Sequence, residues 1–415
     1  MPSPALFSLL IKPAGADCNL RCAYCFYLEK AALYPDTPRH RMSDAVLARL
    51  VESYLATNQP QYGFAWQGGE PTLMGSAFFR RVTELQRQHR RPGTVITNAL
   101  QTNATLIDDE LAAHLAADNF LVGVSLDGPA ELHDAYRLTH NGHPTHASVA
   151  EGMERLRRHR VDFNILTLVN RRNAAEPERI YRHLVQQGCL HHQYIPCVAH
   201  DATGQLLPFS LEQGQWGDFL CRLFDLWYQH DTRRVSVRLF DSIVIRLIEG
   251  VTNDCTFSRD CRHYFMVEHN GDVYPCDFFA EPGLRLGNIM EHTWDELLRS
   301  PRYQAFGACK SQWNAACDTC AWLEFCAGDC PRHRYITSRD PRQRSFLCAD
   351  WQQFLAHTMP RFRRLAEEIR AERQARQRGV TATSRGTSSP GRNVPCPCGS
   401  GRKFKHCCGA RHGGR

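Results

Sequence analysis

Short apolar runs alternate with longer stretches of helical spacing along the first half of the chain. The first run, Phe7 to Lys12, stops just before a cysteine-bearing loop. Ser43-Asp44 then offers a cap to a helix whose apolar positions Val46, Leu47, Leu50 and Val51 share one face. Strand, loop and helix in that order open a βα repeat. The order returns with a strand at Tyr62 to Gln67 and a helix at Phe78 to Gln88. Val95 to Gln101 and Phe120 to Leu126 predict two more strands, and a helix at Ala147 to His159 precedes a fifth, Phe163 to Val169. Gln193 to Pro196 predicts the sixth. Strands separated by amphipathic helices build a parallel sheet, so the expected fold is α/β, a partial (β/α)6 TIM-like barrel. From Leu211 to Glu249 the spacing is helical throughout, with Trp216, Phe219, Leu220, Leu223, Phe224 and Trp227 as core.

Beyond Thr252 the pattern gives way to cysteine clusters. The expected organisation is therefore a barrel with a helical extension over 1-250, a cysteine-rich domain over 251-350, and a basic helix over 351-378. A Ser/Thr/Gly-rich flexible linker over 379-392 and a small cysteine-bearing tail over 393-415 complete it. Hydrophobic residues at 43% against 22% charged are the composition of a globular protein with a sizeable core. No apolar run approaches bilayer length, and Met1 to Leu10 lacks a basic n-region and a cleavage site. The expected compartment is the cytoplasm, with no membrane partner.

The net charge of +7 is misleading as a guide to partners. From Arg361 onward 14 Lys and Arg face 3 Glu, so the preceding residues hold 36 basic against 40 acidic groups, a net of −4. Positive charge without aromatic interleaving is a solvated helix face, and no nucleic-acid partner is expected.

Nineteen cysteines in a chain without an export signal point to metal ligation rather than disulfides. Cys18, Cys22 and Cys25 are spaced C-x3-C-x2-C, which can ligate three irons of a [4Fe-4S] cube and leave the fourth open. A structural zinc site is the alternative, although zinc takes four protein ligands and favours paired C-x2-C hooks. Eight further cysteines, Cys255, Cys261, Cys276, Cys317, Cys320, Cys326, Cys330 and Cys348, suffice for two four-thiolate sites however they are divided. Cys317-x2-Cys320 could also begin a zinc ribbon. Cys396, Cys398, Cys407 and Cys408, arranged C-x-C-x8-C-C, suffice for a closed tetrahedral zinc site. Cys189, Cys197, Cys221 and Cys309 are left as small buried hydrophobes.

The Cys18 loop with its aromatic Tyr24 resembles the radical S-adenosylmethionine (SAM) superfamily. Together with Gln67-Gly68-Gly69-Glu70-Pro71, Gln101-Thr102-Asn103, Ser125 to Arg137 and the later cysteines, it resembles the anaerobic sulfatase-maturating enzymes over roughly residues 5 to 355. That resemblance implies oxidation of a Cys or Ser of a sulfatase polypeptide to Cα-formylglycine, with SAM and three [4Fe-4S] clusters. It implies SAM contacts at Tyr24, Gly69, Ser125, Arg137 and Ile195, and a substrate cleft lined by Tyr27, Gln67, Gln101 and Asp127. Asp277, directly after Cys276, would be the proton acceptor, although a carboxylate there is often only a turn residue. The cysteine module resembles a SPASM domain, which implies auxiliary cluster I on Cys255, Cys261, Cys276 and Cys330. Auxiliary cluster II would take Cys317, Cys320, Cys326 and Cys348. An electron donor such as a flavodoxin or ferredoxin is implied too. The tail resembles the SEC-C motif of a bacterial export motor, which implies zinc and an export chaperone as partner.

Two other readings stay open. A SPASM radical enzyme could modify another ribosomally made peptide; such maturases often carry an N-terminal leader-binding domain, and the dozen or so residues before the cluster loop favour the sulfatase reading without settling it. A binding protein with structural clusters is the second, and SAM cleavage separates it from both enzymes. After the sixth strand, Pro196-Cys197-Val198-Ala199-His200 shows no acidic residue to grip a substrate Arg.

Overall fold

In the computed structural model, residues 6-385 and 403 are described. The described residues up to 360 form one compact unit, and those from 361 belong to a second. Six strands follow the predicted order: β1 (Ser8–Lys12), β2 (Gln61–Trp66), β3 (Val95–Thr102), β4 (Leu121–Ser125), β5 (Phe163–Val169) and β6 (His191–Pro196). Each pairs in parallel with the next. The crossovers carry α1 (Asp44–Leu55), α2 (Gly75–His89), α3 (Asp109–Ala117), the short α4 (Ala130–His133), α5 (His146–Arg158) and α6 (Pro177–Gln186). Their starts are written locally. Ser43 Oγ accepts from Val46 N–H at 3.3 Å, and Asp108 Oδ1 from Leu111 N–H at 2.7 Å, satisfying helix-terminal donors. Leu9, Ile11, Phe64, Trp66, Leu100, Val122, Val124 and Ile165 are all buried, so the strands are the centre of the core.

The sheet does not end with the barrel. In the stretch read as wholly helical, β7 (Ser236–Val237) separates α7 (Gln215–His230) from α8 (Arg238–Glu249) and pairs with β6 through His191 and His192. Two residues are too few to carry a period, which hides this strand from pattern reading. At the opposite edge β8 (Tyr264–Glu268) lies parallel to β1, from Ser8 beside Tyr264 to Lys12 beside Glu268. β9 (Asp272–Tyr274) and β10 (Gly287–Asn288) add antiparallel strands, giving the order β10-β9-β8-β1-β2-β3-β4-β5-β6-β7. The sheet thus runs across the boundary expected at residue 250, and Tyr264–Glu268 of the second half stands beside the first strand.

The rest of the cysteine-rich half is held by short helices: α9 (Trp294–Arg299), α10 (Pro301–Cys309), α11 (Leu323–Cys326) and α12 (Pro331–Arg334). The last helix, α13 (Cys348–Arg385), starts before the basic helix expected at 351 and continues past 378 into the stretch assigned to the linker. Asp350 accepts from Gly217 N–H at 2.8 Å, and the Trp351 ring meets those of Trp216 and Phe257. Among the described residues no helix is long and apolar enough to cross a membrane.

Candidate active site

The loop after β1 folds back on itself, Gly15 N–H donating to Lys12 C=O at 3.0 Å, before it reaches the cysteines. It is then zipped to the segment after α4 by Arg21 N–H to Leu138 C=O (2.8 Å) and Ala23 N–H to Tyr136 C=O (3.0 Å). Cys18, Cys22 and Cys25 consequently gather in one pocket with Leu20, Tyr24, Tyr136, Leu168, Cys197 and Phe209. Burial, with Glu70 nearby, pushes the Cys18 thiol up to about 12. Burial raises Cys22 as well, against the pull of Arg137. Thiols in such surroundings ionise when a metal takes the place of the proton.

Gly68 and Gly69 follow β2 and press against this loop. Gly69 N–H donates to Gly15 C=O at 2.8 Å, and a Cβ at Gly69 would lie 2.0 Å from the Asp17 carbonyl oxygen. Glu70, fully buried, accepts from Thr72 N–H, Thr72 Oγ1, Thr102 Oγ1 and Asn103 N–H at 2.6 to 3.0 Å. Its carboxylate therefore fixes the ends of β2 and β3, and burial holds its pKa above the usual range. Asn103, so placed, reaches Asn19 Oδ1 at 2.8 Å and Cys18 Sγ at 3.8 Å.

At the end of β4, Ser125 Oγ accepts from Gln101 Nε2 at 3.0 Å. The missing side chain of Gly123 makes room for that glutamine, since a Cβ there would stand 2.2 Å from Gln101 Oε1. Arg137 donates to Tyr24 Oη at 3.0 Å, and Tyr24 donates in turn to Asp127. Asp127 also accepts from Leu168 N–H at 3.0 Å and has no solvent exposure. It sits beneath Tyr24 and within the field of Arg137, its pKa raised by burial. The Nε of Arg137 is buried without a partner among the described residues, a guanidinium donor with no protein acceptor. Ile195 stands on β6 beside Leu168, and Gln67 continues β2 with its N–H on Ile11 C=O at 2.8 Å.

The second half contributes through β8 and the turn after β9. Asp277 meets Lys12 Nζ at 3.4 Å, a contact across 265 residues that the β1–β8 register sets up. Lys12 is nearly inaccessible and lies over the Tyr27 ring at 4.2 Å. Tyr27, also buried, donates to Glu268, while Tyr264 Oη lies 3.1 Å from Cys276 Sγ and 3.5 Å from Asp277. Arg332 covers the rings of Phe278 (4.4 Å) and Phe26 (4.9 Å), joining the Asp277 turn to the Cys18 loop. Lys12, Glu268, Tyr264 and Arg332 were not singled out by the sequence. Lys12 alone left a signal, a charge ending an apolar strand.

No two of the described cysteines form a disulfide. Cys317, Cys320, Cys326 and Cys348 line one cavity together with Trp322, Leu323 and Trp351. Cys255, Cys261, Cys276 and Cys330 form the other group: all four thiols are raised by burial, and Cys330 acts electrostatically on the other three. Among the described residues no three His, Cys, Asp or Glu side chains meet at single-ion spacing, whereas thiolates of a cube each bind a different iron. Cys189, Cys197 and Cys221 are buried, and Cys309 partly so. Cys396, Cys398, Cys407 and Cys408 lie outside the described residues.

This architecture has known counterparts. The Radical SAM superfamily model matches residues 13–184, an iron-sulfur cluster-binding domain matches 255–321, and the SEC-C motif matches 392–410. The serine-type anaerobic sulfatase-maturating enzyme of Bacteroides thetaiotaomicron is 37% identical over 370 residues, covering 85% of this chain and 89% of that protein. A cysteine-type enzyme of Clostridium perfringens is 36% identical over 367 residues, covering 88% and 99%. The structure of anSMEcpe with bound AdoMet and Kp18Cys peptide superposes with a TM-score of 0.82 at 34% identity, over 88% of this chain and all of that one. SuiB of Streptococcus suis, bound to its precursor peptide SuiA, shares the fold at 18% identity and a TM-score of 0.60, over 82% and 75%. The Cys18 loop, the Glu70 clamp and the thiol-rich second half are thus those of a SAM-dependent iron–sulfur protein, and the chain belongs to the anaerobic sulfatase-maturating enzymes.

Proposed function

We propose that this protein oxidises the side chain of a Cys or Ser in a sulfatase polypeptide to Cα-formylglycine. The observation that carries the reading is the Lys12–Asp277 contact, which stands a carboxylate of the second half against the strand leading into the Cys18 loop. The residues fit the groups the reaction needs. Three converging thiols suit a site-differentiated cluster, and the unpaired Arg137 Nε suits the carboxylate of SAM. Cys18, Cys22 and Cys25 would hold the first [4Fe-4S] cluster. Cys255, Cys261, Cys276 and Cys330 would hold the second, and Cys317, Cys320, Cys326 and Cys348 the third. Tyr24, Gly69, Ser125, Arg137 and Ile195 would seat SAM.

When bound, the first cluster and SAM supply the radical that removes a Cβ hydrogen from the target residue. The protein's own work is positioning and proton handling. Asp277 takes the thiol or hydroxyl proton of the target, and Lys12, held over Tyr27, fixes the carboxylate in place. Tyr27, Gln67 and Gln101 line the peptide's path, and Asp127 acts from beneath by orienting Tyr24 and Arg137. The eight cysteines of the second half would hold the clusters that would supply an acceptor for the second electron. A flavodoxin or ferredoxin serves as reductant, zinc closes the tail on Cys396, Cys398, Cys407 and Cys408, and the tail engages an export chaperone. Cytoplasmic location fits thiols that must stay reduced.

The test is mass spectrometry of a Cys-x-Pro-x-Arg peptide and its Ser counterpart after anaerobic incubation with reconstituted protein, SAM and reductant. An aldehyde-containing product is expected and identifies the accepted residue. SAM cleavage with both peptides unchanged would move the substrate to another peptide.

A further inference from the structure

The segment Cys326-Ala327-Gly328-Asp329-Cys330 joins the two groups of four thiols, giving one cysteine to each. Its three central residues are all left-handed, with φ of +47°, +71° and +65°, a run that turns successive carbonyls towards the interior. Two cations receive them. Lys310 Nζ donates to Asp329 C=O and, at 2.9 Å, to Thr256 C=O. Arg334 donates to the carbonyls of Ala327 (3.1 Å), Gly328 (2.7 Å), Asp329 (2.8 Å), Lys310 (3.0 Å) and Pro341 (3.2 Å). Both side chains are at 0% exposure.

Every one of those acceptors is a neutral carbonyl. The nearby Asp329 carboxylate is directed elsewhere, to His333 Nδ1 at 2.9 Å and Ser345 Oγ at 2.6 Å. Two buried cations against one carboxylate leave positive charge uncompensated, which a protein interior does not hold cheaply. The compensating charge lies in the thiolate groups on either side. The carbonyls that receive Lys310 belong to Thr256, next to Cys255, and to Asp329, next to Cys330, and Arg334 donates to that of Ala327, next to Cys326.

We infer that Lys310 is the shared counter-cation of the two auxiliary cluster sites, a positioning residue whose charge stabilises the more negative, reduced state of both clusters. The inference rests on the proposed function only in placing clusters at these eight cysteines. A buried positive charge between two anionic groups favours the added electron in each, through the low dielectric that separates them.

The experiment is a redox titration of the reconstituted full-length holoenzyme, read by electron paramagnetic resonance, with the Cys18-loop signal recognised by its change on adding SAM. Lys310→Gln keeps a donor and loses the charge, and Lys310→Arg keeps the charge. The expected result is that Lys310→Gln, at wild-type iron and sulfide content, makes reduction of the auxiliary clusters about tenfold less favourable, a shift of about 59 mV for one electron, while Lys310→Arg stays near wild type. Unchanged auxiliary potentials in a fully loaded Lys310→Gln protein overturn the inference. Should Lys310→Gln fail to load iron, loading restored by Lys310→Arg supports the counter-cation role. Loading lost equally in Lys310→Arg reduces Lys310 to a shape requirement and overturns it. Wild-type protein without auxiliary iron would instead refute the cluster assignment on which the inference stands.

Discussion

Replacing Gly69 by alanine tests whether the glycine turn after β2 sets the position of the Cys18 loop. An added Cβ would lie 2.0 Å from the Asp17 oxygen, 2.5 Å from its carbonyl carbon and 2.7 Å from the carbonyl carbon of Ala16. Reaching ordinary contact at 3.4 Å demands that the two backbones separate by about 1.4 Å. The segment displaced is not free to yield. Asp17 C=O accepts from Glu70 N–H at 2.7 Å, and its carboxylate is held by His40 and Arg41 at 2.7 Å each. Overpacking of this kind costs about 1–3 kcal/mol, and a misplacement near 1 Å lowers a rate by roughly 100-fold. The protein should therefore keep its auxiliary iron, while SAM affinity falls about tenfold and SAM cleavage about 100-fold. Gly283→Ala is the control, because a Cβ there meets nothing within 4 Å. The assay is 5′-deoxyadenosine release, beside iron analysis and SAM binding under anaerobic conditions. Cleavage within twofold of wild type would refute the claim that this contact positions the loop.

Asp277→Asn should still cleave SAM but yield little aldehyde from the peptide, measured by mass spectrometry; full aldehyde yield would remove Asp277 from the base role. Lys12→Met leaves Asp277 without its buried partner and should cost about 3 kcal/mol in a urea titration. Adding Asp277→Asn should recover part of that loss, and strict additivity of the two would show that they do not interact. His192, buried on β6 with Nε2 on Cys189 C=O at 2.9 Å and Tyr194 Oη at its Nδ1, is depressed to about 4 by burial. The unfolded chain takes up that proton near pH ~6.5, so the contribution is complete above it and is lost as pH falls towards 4. The difference is about 3 kcal/mol, and His192→Gln should flatten the fall in urea midpoint between those pH values.

Much of the barrel was legible because its signals are local. The apolar runs at β1 to β6, the Ser43 cap and the spacing of Cys18, Cys22 and Cys25 each lie within a few residues, where period and reach decide the outcome. β8 and β9 are different. Tyr264 to Glu268 and Asp272 to Tyr274 lie among cysteines and helices, and the local mark of their hairpin is the pair Asn270-Gly271, where the structure gives Gly271 a φ of +89°. Asp127, expected along the cleft, accepts from Tyr24, which in turn accepts from Arg137, a chain that depends on how the segment after α4 folds back onto the Cys18 loop.

By itself the sequence determined which residues could bind iron, where the parallel strands run, and which family's motifs the chain carries. Only the tertiary structure decided that β8 adds to β1, and with it that Lys12 meets Asp277, that Tyr27 meets Glu268, and that Lys310 and Arg334 meet the segment joining the two thiol groups. The physical reason is separation along the chain. Ligand spacing and strand period are properties of neighbours, whereas a buried charge takes whichever partner the folded sheet and loops bring to it, here one that stands 265 residues away.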